Sequence, residues 1–177
     1  MIVATPFDLK RFKFAIVAVM PTTPLTRDLT IQEVSRQTGL AESALRYYER
    51  IGLIDPVPRD ASSGHRRYPP PLVAAVESLS CLRSTGMSVH DMRSYVANLR
   101  RGNDDQDAAA DQRRLFAAHA QRLGEDIERL RLRQRYVAAK AQMWAARERG
   151  DAAAEQAVIP HIIELGAQLL SAEATHA

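Results

Sequence analysis

Phe116, Ala120, Leu123, Ile127, Leu130, Gln134, Val137, Ala141 and Trp144 follow one another in alternating steps of four and three. That is a heptad seam sustained for four heptads, and it commits the stretch to one continuous helix. A helix over residues 108–149 would be roughly 60 Å long at 1.5 Å per residue. Alone it cannot hide its own apolar stripe, so a partner helix is required. Within the chain the only candidate is the apolar segment 158–170, folding back, and it is much shorter. The pattern therefore favours a second copy of the chain, a homodimeric coiled coil with Phe116, Leu123, Ile127, Leu130, Gln134, Val137 and Trp144 at its seam. Gln134, polar at such a position, fixes register at some cost in stability. A long core helix in a monomeric bundle is the alternative, but no second long helix is evident to pack on it.

Upstream the chain reads as short helices separated by turns. Thr30-Ile31-Gln32-Glu33 matches a capping box, Ile31 and Val34 fall on an inward face, and Gly39 ends the first helix. A second helix spans about Glu42 to Ile51, with Leu45 and Tyr48 inward and Ser43, Arg46, Tyr47 and Arg50 outward. Gly52, Pro56 and Pro58 stop it. Ser62-Ser63-Gly64 marks a tight turn, and His65–Tyr68 forms one side of a small hairpin. Pro69-Pro70-Pro71 starts a third helix with the apolar face Leu72, Val73, Val76, Leu79 and Leu82. Ser88 caps a fourth, with Met92, Tyr95, Val96 and Leu99 inward. This is the layout of a helix-turn-helix with a basic wing, which points to duplex DNA as ligand. The domain reading is a leader over 1–28, a winged helix-turn-helix over 29–101, a dimerisation helix over 108–149, and a short helix opened by Pro160 within 151–177.

Charge follows the same division. Residues 1–28 carry net +2, residues 29–101 net +3 and residues 102–177 net −2, summing to the formal +3 of the whole. A basic front meeting phosphate and an acidic back meeting protein would produce this. The single cysteine, Cys81, excludes an intramolecular disulfide and any multi-cysteine metal site within one chain, and fits a reducing cytoplasm. Lys10, Arg11 and Lys13 before the apolar run Phe14–Met20 superficially resemble an export signal. No small-residue cleavage site follows, and the run is far too short to span a bilayer. A disordered leader, or a true start at Met20, is the expectation. No Gly-rich phosphate loop, Ser-His-Asp or Cys-His arrangement, or paired metal-ligand motif is present, so neither an enzyme nor a cofactor is expected.

Three stretches carry a family resemblance. They are Arg46-Tyr47-Tyr48-Glu49-Arg50-Ile51-Gly52-Leu53-Ile54, Ser63-Gly64-His65-Arg66-Arg67-Tyr68, and Leu82-Arg83-Ser84-Thr85-Gly86-Met87-Ser88. In this order and followed by a heptad helix, they make residues 29–149 resemble the MerR family of bacterial transcription regulators. The resemblance implies a mainly α fold, a winged helix-turn-helix followed by a long helix that forms an antiparallel coiled coil in the dimer. It implies a recognition helix in the major groove and a wing on the flanking backbone. It also implies an effector that makes the dimer bend and untwist promoter DNA for RNA polymerase. The DNA-contacting set carried over is Ser43, Arg46, Tyr47, Arg50, His65, Arg66, Arg67 and Tyr68, with packing as the competing role for Tyr48 and Tyr68. Guanidinium and phenol groups donate to phosphates, and Arg also pairs with a guanine edge. Two departures stand out. Ala41 replaces a capping Ser or Asp, which costs the helix start about 1 kcal/mol. His65 replaces a usual wing aromatic.

The metal-sensing branch needs two or more cysteines near the end of the long helix, and the drug-sensing branch needs a larger C-terminal domain. His119 and His161 are too isolated for a metal site and read as surface or seam residues. The nearer resemblance is to a small subgroup responsive to aldehydes and other electrophiles, through Ser80-Cys81-Leu82-Arg83 and Lys140-Ala141-Gln142-Met143-Trp144. It makes Cys81 a candidate trigger whose thiolate could add to a carbonyl. A buried structural cysteine is the competing reading. Two further functions stay open: a constitutive DNA-bending protein, and a coiled-coil module that docks on protein.

Overall fold

The computed structural model describes residues 27–102 and 104–174. The expected leader lies outside the described residues except for its last two positions. The fold is mainly helical, as expected, and its contacts divide it into two units, one ending at Phe116 and one beginning at Ala117.

In the first unit, α1 (Ile31–Thr38) starts on a full capping box. The Glu33 amide donates to Thr30 Oγ1 at 3.3 Å, and the Thr30 amide donates back to the Glu33 carboxylate at 2.8 Å. Gly39 closes the helix at φ 71°, where a side chain would be strained, and its N–H reaches the Ser35 carbonyl. Helix α2 (Glu42–Arg50) starts on Ala41 with no side-chain cap, as the sequence implied. Leu45 and Tyr48 are buried, and the chain after the helix drops Leu53, Ile54 and Val57 into the same core. Helices α3 (Pro70–Ser84) and α4 (Val89–Arg101) add Leu72, Val73, Val76, Leu79, Met92, Tyr95 and Val96. Each such burial contributes about 1.5–3 kcal/mol of transfer free energy. Polar ties fix the helices laterally: Ser80 Oγ donates to the Thr38 carbonyl at 2.6 Å, and Gln37 donates to Glu77 at 2.6 Å.

The wing is held by two isolated antiparallel bridges, Arg59 with Arg66 and Leu29 with Tyr68; no longer strand forms among the described residues. The second bridge puts Tyr68 in the core and not at the expected DNA-facing surface. Tyr68 pairs both ways with the Leu29 backbone, which turns its side chain inward to full burial. It cannot serve as a DNA-contacting residue, and burial also pushes its phenol pKa up.

Helix α5 (Gln106–Glu148) runs 43 residues, roughly 65 Å at 1.5 Å per residue. Helix α6 (Ala152–Ala174) is longer than the sequence suggested. Pro160 lies inside it rather than opening it. Asp151 accepts the Ala154 N–H at 3.0 Å as N-cap, and the alanine run that follows has the highest helix propensity, so the helix is established before the proline. In the second unit α6 returns toward α5. Gly166 faces the Tyr136 ring, Arg147 pairs with Glu155, and Leu165, Ala139 and Ala146 are buried. The covered face of α5 holds the half-buried Leu132, Tyr136 and Met143 with the buried Ala139 and Ala146. At 100° per residue that face is opposite the heptad seam.

Candidate nucleic-acid interface

The recognition helix divides cleanly. Leu45 and Tyr48 anchor it, and Ser43, Arg46, Tyr47 and Arg50 form one exposed stripe at three- and four-residue spacing. The Arg50 guanidinium stacks 5.4 Å from the centre of the Tyr47 ring, and Arg46 pairs with Glu42 at 2.6 Å. Both arginines are thus held extended at the surface by neighbours on their own helix. These contacts are exposed and exchange readily for a phosphate.

The wing is built around Asp60. One of its carboxylate oxygens accepts from the Ser62 and Ser63 amides at 3.0 and 2.9 Å, and from both serine hydroxyls at 2.6 and 3.0 Å. These bonds, that from the Ser62 hydroxyl foremost, hold its pKa well below the usual carboxylate range. Gly64 supplies φ 69° at the tip, and the strands close through Asp60 N–H to His65 O and Arg67 N–H to Pro58 O, each at 2.8 Å. Arg59 donates to the Gly64 carbonyl at 3.2 Å.

Glu49 couples helix to wing. One of its oxygens accepts from Arg66 Nε at 2.8 Å and the other from the Val57 amide at 3.1 Å. The carboxylate therefore sets the angle between α2 and the hairpin. It spends only Nε of Arg66, whose terminal amino groups remain donors.

The result is a concave surface of ≈ 400 Å³ between the start of α1, the recognition helix and the wing. Arg46, Arg59, Arg66, Arg67 and His65 line it, with Thr30 and Gln32, and no acid is among its lining residues. Glu42 pairs with Arg46, Glu49 with Arg66 and Asp60 lies 3.6 Å from Arg67, and none of the three acids lines the concavity. Glu33 stands at the edge, its pKa lowered to about 2 chiefly by the hydrogen bond from Arg27 and then by the Thr30 amide. Of the residues expected from sequence, Arg46, His65, Arg66 and Arg67 meet here. Ser43, Tyr47 and Arg50 share the recognition helix but line no part of the concavity. Arg59 and Gln32 were missed. Arg59 was legible in retrospect, because its position opposite Arg66 across the Ser62-Ser63-Gly64 turn places both on one face.

A model of the MerR family regulatory protein matches residues 30–68. A Pseudomonas aeruginosa protein, the uncharacterized HTH-type transcriptional regulator PA4778, is 32% identical over 102 residues, covering 58% of this chain and 74% of that one. The chain belongs to the MerR family. The Bacillus subtilis HTH-type transcriptional regulator AdhR is 35% identical over 97 residues, 55% of this chain and 66% of its own length. The chain thus spans just under two thirds of AdhR, and about half (48%) of a further B. subtilis relative. A solved structure of HiNmlR, a MerR family regulator lacking the sensor domain and bound to promoter DNA, aligns with a TM-score of 0.55 at 25% identity, covering 74% of this chain and 95% of that one.

In this MerR-family chain the seam residues Leu123, Ile127, Leu130, Gln134, Val137 and Trp144 are all exposed, Leu130 at 60% and Val137 at 64%. Arg147 lies 4.7 Å over the Trp144 ring. Phe116 departs from the expectation of a seam residue alone: its ring meets Tyr95 of α4 edge-on, 5.8 Å between centroids, so it also packs on the first unit's core. Cys81 is half-buried on α3, and the nearby Arg83 in the chain donates to the Met87 carbonyl at 3.3 Å. His119 is buried rather than at the surface. Among the described residues no three His, Cys, Asp or Glu are grouped to hold a metal, and no helix is long and apolar enough to cross a membrane.

Proposed function

We propose that this MerR-family chain is a transcription regulator that binds duplex promoter DNA as a homodimer and bends or untwists it for RNA polymerase. The observation that carries this is the acid-free concavity where Arg46 of the recognition helix meets Arg59, Arg66 and Arg67 of the wing. Four guanidinium groups on one concave surface suit a phosphate backbone, with the stripe Ser43, Tyr47 and Arg50 placed to enter the adjoining major groove. The exposed seam of α5 supports a second copy as partner, since water-facing leucines, isoleucine and valine at heptad spacing gain most from a matching helix. HiNmlR on promoter DNA supports the same docking. The reading places the protein in the cytoplasm, at the nucleoid, without cofactor or enzymatic role.

An aldehyde or other electrophile adding to Cys81 is the trigger within this reading. A small molecule can reach a half-buried thiol; sulfur bonds to the carbonyl carbon and the thiol proton passes to the carbonyl oxygen. The adjacent Ser80 bonds the end of α1, so an adduct would press on the α1–α3 contact. The experiment is transcription in vitro from the upstream promoter, with and without a simple aldehyde, comparing wild type with Cys81→Ala. Activation abolished by the substitution supports the trigger. Equal activation in both proteins moves the effector elsewhere. Salt-sensitive, sequence-selective DNA binding with no effector response leaves a constitutive DNA-bending protein, and absence of such binding leaves a protein-docking module.

A further inference from the structure

The first unit contains a second, chemically different cavity. It measures ≈ 320 Å³ and lies between the link that joins recognition helix to wing and the helix pair α3 and α4. Its walls include Pro56, Pro58, Pro71, Leu79, Tyr95 and Leu99. Proline rings have no rotamer with which to collapse into a space, and the helix walls are anchored in the core, so the cavity is preformed. Its volume is at the lower end of the range that holds small organic ligands.

One end of this apolar cavity is charged. Arg100 and Asp55 stand there, 3.3 Å apart and both substantially exposed. Beyond Arg100 lies an adjoining groove that shares Leu53, Val96 and Arg100 with the cavity. Its other lining residues include His90 and Arg93, and no acid. His90, Arg93 and Arg100 recur at three and seven residues along α4, so they present one basic stripe leading away from the apolar mouth.

We propose that this pair of cavities binds a small amphiphilic monocarboxylate, its hydrocarbon body among the prolines and its carboxylate on Arg100, within the field of Arg93. Among the described residues the Arg100 guanidinium donates to the Gly52 carbonyl at 3.1 Å and to Asp55 at 3.3 Å, both near solvent. A ligand carboxylate offers it a paired, shorter contact. The site also reports to the wing. The link that forms one wall carries Val57, held by Glu49, and continues into Arg59, so a ligand there biases the hairpin that lines the arginine concavity. That consequence, and only that, rests on the DNA-binding reading; by linkage the DNA would change the carboxylate's affinity by the same factor.

The test titrates the full chain with octanoate by calorimetry, with 1-octanol as the uncharged probe. Saturable octanoate binding at one site per chain is expected. Arg100→Gln should weaken octanoate about tenfold and leave 1-octanol unchanged, which separates loss of the charge from loss of the cavity. Ala75→Leu, which fills the cavity, should weaken both probes. No saturable octanoate binding to the wild-type chain, or equal octanoate affinity in Arg100→Gln, overturns the proposal. Retention of octanoate binding by a chain without selective DNA binding would uphold the site while removing the regulator reading. DNA binding without octanoate binding would do the reverse.

Discussion

The two units solve the problem of apolar surface in opposite ways. The first closes its core on itself: Val34, Leu45, Val73, Val76, Met87 and Met92 are wholly enclosed by short helices that cross within a few tens of residues. The second leaves several large apolar residues in water. Leu130, Val137 and Trp144 on α5 are more than half exposed, and Ile163 and Leu170 on α6 more so. The returning α6 covers the face of α5 that holds Tyr136 and Ala139, not the seam. The first unit's fold is therefore complete within one chain. The second leaves an apolar stripe uncovered, and under the proposed homodimer it is half of an interface whose stability depends on protomer concentration.

The largest effect should come from breaking that half-interface. Leu130→Asp puts a charge in the seam and is expected to halve the sedimenting mass and to lower operator affinity by about 100-fold or more through lost bivalency. An unchanged mass would remove the seam from the dimer. The comparison sharpens if Leu45→Ala, in the closed core, instead lowers stability by about 2–5 kcal/mol while leaving the dimer contact of the remaining folded protein intact. Urea melts and sedimentation on the same samples separate the two effects.

Next in size are substitutions at the concavity. Arg66→Ala and Arg59→Ala should each weaken operator binding by about tenfold and reduce the slope of log affinity against log salt by about one, with the dimer intact. Arg66→Ala also leaves Glu49 with one partner fewer, so Glu49→Gln is the control for wing placement: it should lower affinity with the salt slope nearly unchanged. Equal slopes for all three proteins would show that the arginines position the wing rather than meet phosphate.

Acid should loosen the first unit before the second. Asp60 and Glu33 have folded pKa values held down by hydrogen bonds, Glu33 to about 2. Their contribution is present above the unfolded value near pH 4 and is lost as pH falls through the folded value. Between about pH 4 and pH 2 the tyrosine near-UV signal of the first unit is expected to fall, and Asp60→Asn with Glu33→Gln should flatten that dependence. A pH profile unaltered by both substitutions would mean that the capping bonds do not hold the unit. The smallest effect is a gain. Ala41→Ser supplies the missing cap of α2 and should add about 0.5–1 kcal/mol. No gain by thermal melting would show that the start of α2 is already held by the bonds from Ala44 and Leu45 to the Ala41 carbonyl.

Much of this molecule was legible in its residues, for identifiable reasons. The capping box at Thr30, the Ser88 cap, the glycine stops, the proline start of α3 and the 3.6-residue periodicities are local, so short-range sterics and hydrogen bonds decide them. The continuity of α5 was legible because a heptad repeat is periodic over many turns. Tyr68 was misplaced because an aromatic beside Arg66 and Arg67 reads equally as surface or core until its backbone pairs with Leu29. Pro160 was misread as a helix start because a cap at Asp151 and packing on Tyr136 outweigh a propensity penalty that sequence alone shows undiminished. By itself the sequence determined the helices α1 to α5, the inward faces of α1 to α4 and the basic character of the wing. Only tertiary structure decided that Arg46 of the recognition helix joins Arg59, Arg66 and Arg67 of the wing, and that Glu49 sets their angle. The same is true of α6 leaving the seam exposed. Each of these depends on residues distant in the chain meeting in space, and no local pattern encodes that distance.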